Sequence, residues 1–250
     1  MAKYIITGGD GFIGTHLKNT LPDCEVLDMK SGTNIVTDKL DFTRADYVIH
    51  LAAWGRIPKC LEDPLGAYYN NVIGSVRVLE ECRRAKVKKV VLASSCAVNA
   101  LETPYKTSKK AMEDIARVYR ETYDLPTVSL RLANVYGKGI DENDSLLFAQ
   151  IKRDGVAKIC GDGTQTRDWI HVDDIIRALV QFAGNKAVGE IDIATGINTS
   201  VNYIADLLGV KKEYLPERQG DVMYSRHDTS EAKKWGYEAK IPLKEGINNI

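Results

Sequence analysis

The 250-residue sequence predicts an α/β fold built on a doubly wound parallel sheet. Three observations predict it. Short β-branched and apolar runs alternate with stretches of helical periodicity, the pattern of parallel strands joined by crossover helices. The first run, Lys3 to Thr7, breaks into a glycine-rich turn and re-enters a helix. The second run ends in an acidic residue, Asp28, twenty positions after Gly8.

The opening stretch organises the rest. Lys3 to Thr7 reads as a buried strand. Glycines follow at positions 8, 11 and 14, with Phe12, Ile13, Leu17 and Leu21 on one helical face. Such a turn points bare backbone N–H groups, backed by the positive end of the helix, at whatever lies above. Those groups favour a pyrophosphate. Asp28 closes the apolar pair Val26-Leu27, where a carboxylate accepts hydrogen bonds from an adenosine ribose and repels a 2′-phosphate. The cofactor it points to is NAD.

A polar turn, Lys30 to Asn34, then leads to Ile35-Val36. Residues 46–53 read as the next strand, ending in small residues that let a cofactor lie close to the backbone. Asp63-Pro64 is a helix start, and one long helix is expected to about Lys86. Its apolar positions Leu65, Tyr68, Tyr69, Val72, Val76 and Leu79 recur at helical spacing. Lys89 to Ala93 is a strand with Ser94-Ser95 at its end.

Tyr105 opens a helix expected to reach about Tyr123, and Lys109 lies one turn on, on the same face. An ammonium near a phenol favours the phenolate, so Tyr105 is expected to ionise below its ordinary pKa and serve as general base. Ser94 or Ser95 would hold the same substrate oxygen. Residues 127–137 give a further strand and turn, and a less regular, more polar region runs to Gly163. Thr164 to Asp174 leads into a helix, Glu190 to Ala194 into a strand, and Val201 to Leu208 into a short helix. The chain shows no internal repeat and no low-complexity tract.

Bulk composition narrows the partners. Thirty-four basic residues balance thirty-four acidic ones, so nothing asks for nucleic acid or a membrane surface. The five cysteines (24, 60, 82, 96 and 160) have no paired spacing, which argues for a reducing compartment and against a metal site. The chain starts almost on its first strand, leaving no room for a signal peptide, and no apolar run reaches bilayer length. A cytoplasmic enzyme is expected.

Taken in order, eight stretches resemble one family, the extended short-chain dehydrogenase/reductases of the nucleotide-sugar epimerase/dehydratase branch. They are Thr7-Gly-Gly-Asp-Gly-Phe-Ile-Gly14, His50-Leu-Ala-Ala53, Asn71-Val-Ile-Gly74, Ser94-Ser95, Tyr105 with Lys109, Arg131-Leu-Ala-Asn-Val-Tyr-Gly137, Arg167-Asp-Trp-Ile-His-Val-Asp173 and Arg218-Gln-Gly-Asp221. Each is weak alone; in sequence they are specific and span nearly the whole chain.

The resemblance implies a Rossmann-like domain over residues 1–136 and about 169–198. A small C-terminal substrate-binding subdomain would take residues 137–168 and 199–250. Gly8, Gly11, Phe12, Ile13 and Gly14 would bind the dinucleotide phosphates, Asp28 the adenosine ribose, and Asn34 and Ile35 the adenine. Leu51, Ala52 and Ala53 would line the path to the nicotinamide. Tyr105 would be the catalytic base, Lys109 would bind the nicotinamide ribose and lower the tyrosine pKa, and Ser95 would orient the reacting hydroxyl. Asn134, Arg167 and Arg218 would bind the diphosphate of a nucleotide-sugar substrate, a role that suits bidentate guanidinium groups. A homodimer paired through helices 64–86 and 105–123 would follow.

Two departures refine the expectation. Sugar 4,6-dehydratases carry an Asp-Glu pair after the catalytic hydroxyl; here Cys96 and Ala97 stand there, which sets dehydration aside. Ser-Ser-Cys also resembles GDP-fucose synthases, where a cysteine takes part in epimerisation, although a small buried residue is the plainer role for Cys96. Secondly, the segment from Ser95 to Tyr105 is shorter than the family's usual loop. The reading is therefore an NAD-dependent nucleotide-sugar epimerase acting at C4 through a 4-keto intermediate. A nucleotide-4-ketosugar reductase consuming NAD(P)H and a non-catalytic dinucleotide sensor are the alternatives.

Overall fold

The structure, a computed structural model, describes residues 2–99, 102–140, 147–217, 223–225 and 227–249. It divides into two compact units, Met1–Leu132 with Ile176–Ile191, and Ala133–Ile175 with Asp192–Ile250.

The first unit carries the central sheet. Strands β1 (Tyr4–Thr7), β2 (Cys24–Leu27), β3 (Tyr47–His50), β4 (Lys89–Ser95) and β5 (Thr127–Leu132) run in the order β2-β1-β3-β4-β5, with β9 (Gly189–Ile193) beyond β5. The pairs β1–β2, β1–β3, β3–β4 and β4–β5 are parallel. Ile5, Ile6, Val48, Ile49, Val90, Val91 and Leu92 are all buried, as strands covered on both faces require. From β1 the chain steps to β2 on one side and returns to β3 on the other. The switch point of the sheet therefore lies between the ends of β1 and β3, where Thr7 is in register with His50. In open α/β sheets that crevice is where ligands bind.

Helix α1 (Phe12–Thr20) follows β1, and α2 (Ile57–Glu62), α3 (Pro64–Tyr68) and α4 (Gly74–Ala85) follow β3. Helix α5 (Pro104–Tyr123) joins β4 to β5. Val78, Leu79 and Cys82 of α4 share one apolar cluster with Met112 and Ala116 of α5 and with Ile5, Val48, Val90 and Leu92 of the sheet. The single helix expected from Asp63 to Lys86 is not continuous. A five-residue π turn, Tyr69–Ile73, separates α3 from α4. The extra residue shifts the helical phase, so Ala67, Asn71, Ser75, Val78 and Cys82 form the buried row while Leu65 and Tyr69 are 66% and 55% exposed. Residues 28–46 contain no strand; Arg77 of α4 pins them by donating to the carbonyls of Ile35 and Asp38, each at 2.7 Å.

The second unit holds β6 (Asn134–Tyr136), α6 (Leu147–Asp154), β7 (Val156–Cys160), β8 (Thr166–His171), β10 (Asn198–Ser200), α8 (Val201–Leu208) and β11 (Lys211–Leu215). It also takes the start of α7 (Val172–Gly184), whose later residues belong to the first unit. Strand β8 pairs parallel with β6 and antiparallel with β10, and β7 pairs parallel with β11. Ser200 caps α8 by accepting from the Tyr203 N–H, and Gly209 in the left-handed region ends it. The Asp168 carboxylate accepts three hydrogen bonds, from the Thr195 N–H and hydroxyl and the Gly196 N–H, which hold the turn before β10. Among the described residues no helix is long and apolar enough to cross a membrane.

Candidate active site

The dinucleotide loop is shaped by what its glycines cannot carry. Gly8 has φ +76°, and a Cβ there would lie 2.5 Å from the Ala52 nitrogen at the end of β3. A Cβ on Gly14 would lie 2.4 Å from the Gly8 carbonyl oxygen, so this glycine lets the first turn of α1 close onto the loop. Gly11 is the N-cap of α1 and offers no side chain to cap it, and no acidic residue stands in the first turn. The N-terminal amides of α1 thus keep their partial positive charge for a ligand. An uncapped helix end at the switch point, cradled by glycines that a Cβ would fill, fits a dinucleotide pyrophosphate.

Asp28 sits at the end of β2. Its Oδ1 accepts from the Lys30 N–H at 2.9 Å and its Oδ2 from the Asp10 N–H at 3.2 Å, tying the glycine loop to the turn after β2. The Lys30 ammonium donates to the Asp10 carbonyl. Asp10 itself binds Lys18 at 2.7 Å, and that bond holds its carboxyl below the usual carboxylate range. Asn34 uses its side chain on the Val36 N–H, and Ile35 packs into the core. Phe12, Ile13, Leu51, Ala52 and Ala53 are all half-buried around the same loop and strand end.

Behind the loop a buried polar chain runs toward α5. The His50 ring nitrogen Nδ1 lies 2.6 Å from the Thr7 hydroxyl, and Nε2 lies 2.9 Å from the Ser75 hydroxyl. Ser75 donates to the Asn71 carbonyl, so Ser75 accepts from Nε2–H and Thr7 donates to Nδ1. Burial pushes the His50 pKa down to about 3, which keeps the ring neutral. The Asn71 carboxamide bonds both backbone groups of Trp54 and donates to Ser108 at 3.0 Å. Ser108 in turn donates to the Tyr105 carbonyl at 2.7 Å.

The two serines of β4 separate cleanly. Ser94 donates to Oε1 of Glu113 at 2.6 Å and is buried. The Ser95 hydroxyl accepts from the Ala97 N–H and stands beside the Tyr105 phenol, where it works to lower the phenol pKa. Lys109 is buried and donates to the Ala93 carbonyl at 2.7 Å. Its burial pulls the ammonium pKa down to about 8, against opposing contributions from Cys60 and Glu113. Tyr105 departs from expectation. Burial raises its pKa above the ordinary phenol value, and only the Ser95 hydroxyl works in the other direction. Desolvation of the anion outweighs the charge one turn away because the Lys109 ammonium is directed at a carbonyl of β4. Cys96 is buried, 3.1 Å from the Arg131 carbonyl.

Asn134 on β6 and Arg167 on β8 lie in the second unit, where Arg167 donates to the Thr166 carbonyl. Arg218 falls outside the described residues. Glu113, fully buried and held by Arg131 through two 2.8 Å bonds, was not among the residues the sequence reading singled out. Its signal was available: it lies one helical turn beyond Lys109 on the same face.

A family model described as "NAD dependent epimerase/dehydratase family" matches residues 4–194. A UDP-glucose 4-epimerase of Mycolicibacterium smegmatis is 32% identical over 301 aligned positions, covering 98% of this chain and 96% of the relative. That alignment is longer than this chain, so the relative carries stretches with no counterpart here. Among solved structures, a UDP-N-acetylglucosamine 4-epimerase from Methanobrevibacter ruminantium M1 in complex with UDP-N-acetylmuramic acid superposes with a TM-score of 0.90. It is 28% identical and covers 99% of this chain and 97% of its own. A UDP-glucose 4-epimerase with UDP-glucose from Thermotoga maritima gives 0.88 at 28% identity, with 98% and 96% covered.

Proposed function

The chain belongs to the NAD-dependent epimerase/dehydratase family, and we propose that it epimerises a nucleotide-diphosphate sugar at C4 through a transient 4-keto intermediate. One observation carries the reading. At the carboxyl end of β4 the Ser95 hydroxyl meets the Tyr105 phenol, with Lys109 buried one turn along α5. The two positions after Ser95 hold Cys96 and Ala97, which cannot serve as the acid–base pair that dehydration requires.

NAD, held by the glycine loop, Asp28 and Lys109, would supply reversible hydride acceptance at C4 when bound. Tyr105, as phenolate, takes the C4 hydroxyl proton and gives it back after the keto sugar has turned. Ser95 shares that oxygen and orients it. Because burial opposes the phenolate, Tyr105 depends on the Ser95 hydroxyl and on positive charge close by, and Lys109 is the chain's own source of that charge. Lys109 also holds the nicotinamide ribose.

Gly8, Gly11, Phe12, Ile13, Gly14, Leu51, Ala52 and Ala53 form the dinucleotide surface, with Asp28 on the adenosine ribose and Asn34 and Ile35 at the adenine. Asn134, Arg167 and Arg218 bind the substrate's diphosphate. Gripping the part of the substrate that does not react leaves the sugar free to rotate.

The protein acts as a homodimer. Leu65, Tyr69 and Ile73 on α3 and the π turn, and Val118 and Tyr123 on α5, expose apolar side chains on the two helices that would pair. Light scattering at micromolar concentration that finds only a monomer would end this part of the reading. All five cysteines are free thiols, which supports a reducing, cytoplasmic setting.

The test is turnover. Purified protein is incubated with UDP-glucose, UDP-glucuronate and UDP-N-acetylglucosamine in turn, and products are followed by NMR and mass spectrometry. An epimer of unchanged mass, formed without net NADH consumption, is expected. Stoichiometric loss of NAD(P)H on a 4-keto sugar nucleotide would make the chain a reductase, and binding without conversion of any substrate would make it a sensor.

A further inference from the structure

Three consecutive residues at the end of β4 are laced to three successive turns of α5. Ser95 stands beside the Tyr105 phenol, the Ala93 carbonyl accepts from Lys109, and Ser94 donates to Glu113. The last of these turns is anchored from a third element. Glu113 has no solvent exposure, and both of its oxygens accept from Arg131 of β5 at 2.8 Å. A carboxylate buried to that degree persists only when paired, and here the pair also consumes the hydroxyl of Ser94. The lacing has a consequence for Ser95: Glu113 and Tyr105 stand on the same helix, so the hold of Glu113 on Ser94 fixes the end of β4 from which Ser95 meets Tyr105.

Resting on the reaction proposed above, we propose that Glu113 is a positioning residue for it: anchored by Arg131, it locks Ser94 to set the Ser95–Tyr105 alignment, and it is the buried counter-charge of the Lys109 ammonium. The titratable groups around Lys109 are His50 on β3, Cys60 on α2, and Tyr105 and Glu113 on its own helix, with Arg131 of β5 beyond Glu113. His50 is neutral and burial raises the Cys60 thiol pKa, so neither brings a negative charge at neutral pH. Glu113 does. Replacing it with a neutral isostere also leaves the Arg131 charge uncompensated on the same side.

Glu113→Gln and Ser94→Ala separate the two roles. The charge role is read from Lys109 itself, by ¹³Cε NMR titration of lysine-labelled protein with the signal assigned through Lys109→Arg. Glu113→Gln should move the Lys109 midpoint to lower pH by about one unit, while Ser94→Ala and Glu113→Asp, which keep the charge, should leave it in place. The alignment role is read from kinetics. Ser94→Ala should lower kcat about tenfold with KM unchanged, because only the hold on Ser95 is lost. A Lys109 midpoint that stays put in Glu113→Gln overturns the counter-charge, and wild-type kcat in Ser94→Ala overturns the alignment. Should Glu113→Gln fail to fold, Arg131→Ala asks the same question: the Lys109 midpoint rises if Glu113 keeps its charge, falls if the unpaired carboxylate takes a proton, and an unchanged midpoint overturns the charge role. Titration needs no substrate, so a chain that turned over no sugar nucleotide would lose the proposed function and still answer this question.

Discussion

Helices α1 and α5 both begin at the carboxyl end of the central sheet, and their first turns are built in opposite ways. α1 starts at Gly11 with no side-chain cap and no acidic residue. α5 starts with Thr103, whose hydroxyl accepts from the Lys106 N–H at 3.1 Å, and has Pro104 at its first position, where the missing N–H costs nothing. One helix keeps its amides for a ligand; the other satisfies its own end and presents side chains, Tyr105 and Lys109, instead. Binding by backbone and chemistry by side chain are thus assigned to different helix ends of the same sheet.

Breaking the side-chain helix should have the largest effect. Tyr105→Phe removes the proposed base and should lower kcat by about 10²–10⁴ while dinucleotide affinity, measured by calorimetry, stays near wild type. Retention of more than about a tenth of turnover, well above what loss of a general base permits, would sink the mechanism. Next comes the backbone helix. Gly8→Ala strains a residue at φ +76° and pushes a methyl against the Ala52 nitrogen, so both cofactor affinity and thermal stability should drop, the latter by about 2 kcal/mol or more.

The comparison is sharpened by closing the open helix end. Gly11→Asp needs a small adjustment only, since its Cβ would meet the Gly8 oxygen alone, at a tight 3.3 Å. The new carboxylate should cap α1 and raise the stability of the cofactor-free protein by about 0.5–1 kcal/mol. It should also weaken dinucleotide binding about tenfold by repelling the pyrophosphate. If both quantities move the same way, the α1 amides are not a phosphate site. The smallest effect on binding belongs to the end already closed. Thr103→Ala should cost about 1 kcal/mol in urea unfolding and leave dinucleotide affinity unchanged.

What the sequence made legible follows the range of the interactions. The glycine loop could be read because the strand, turn and helix around Gly8, Gly11 and Gly14 are contiguous in sequence, although the close approach of Gly8 to Ala52 is not. Tyr105 and Lys109 could be read because four-residue spacing is a local property of a helix. Glu113 was passed over since its partners, Ser94 and Arg131, are brought to it only by the β4-α5-β5 crossover. The direction of the Tyr105 pKa was misjudged for a related reason. Charge proximity can be inferred from spacing, whereas the depth of burial that overrides it depends on everything packed above the helix. Ser94 and Ser95, both open in the sequence, are told apart in the structure by one hydrogen bond from Ser94 to Glu113.

The π turn at Tyr69–Ile73 makes this stretch a counter of residues rather than a mere run of helix. Each residue of an α-helix advances the chain by about 100°. A π turn advances its residues by less, so its five cover about the rotation of four in an α-helix. Were the same five wound as regular α-helix, every downstream side chain of α4 would swing by roughly that angle. Ser75 would leave His50, and Arg77 would leave the carbonyls of Ile35 and Asp38, with no residue of the relay itself having been changed. Winding here is as much a part of the site as identity.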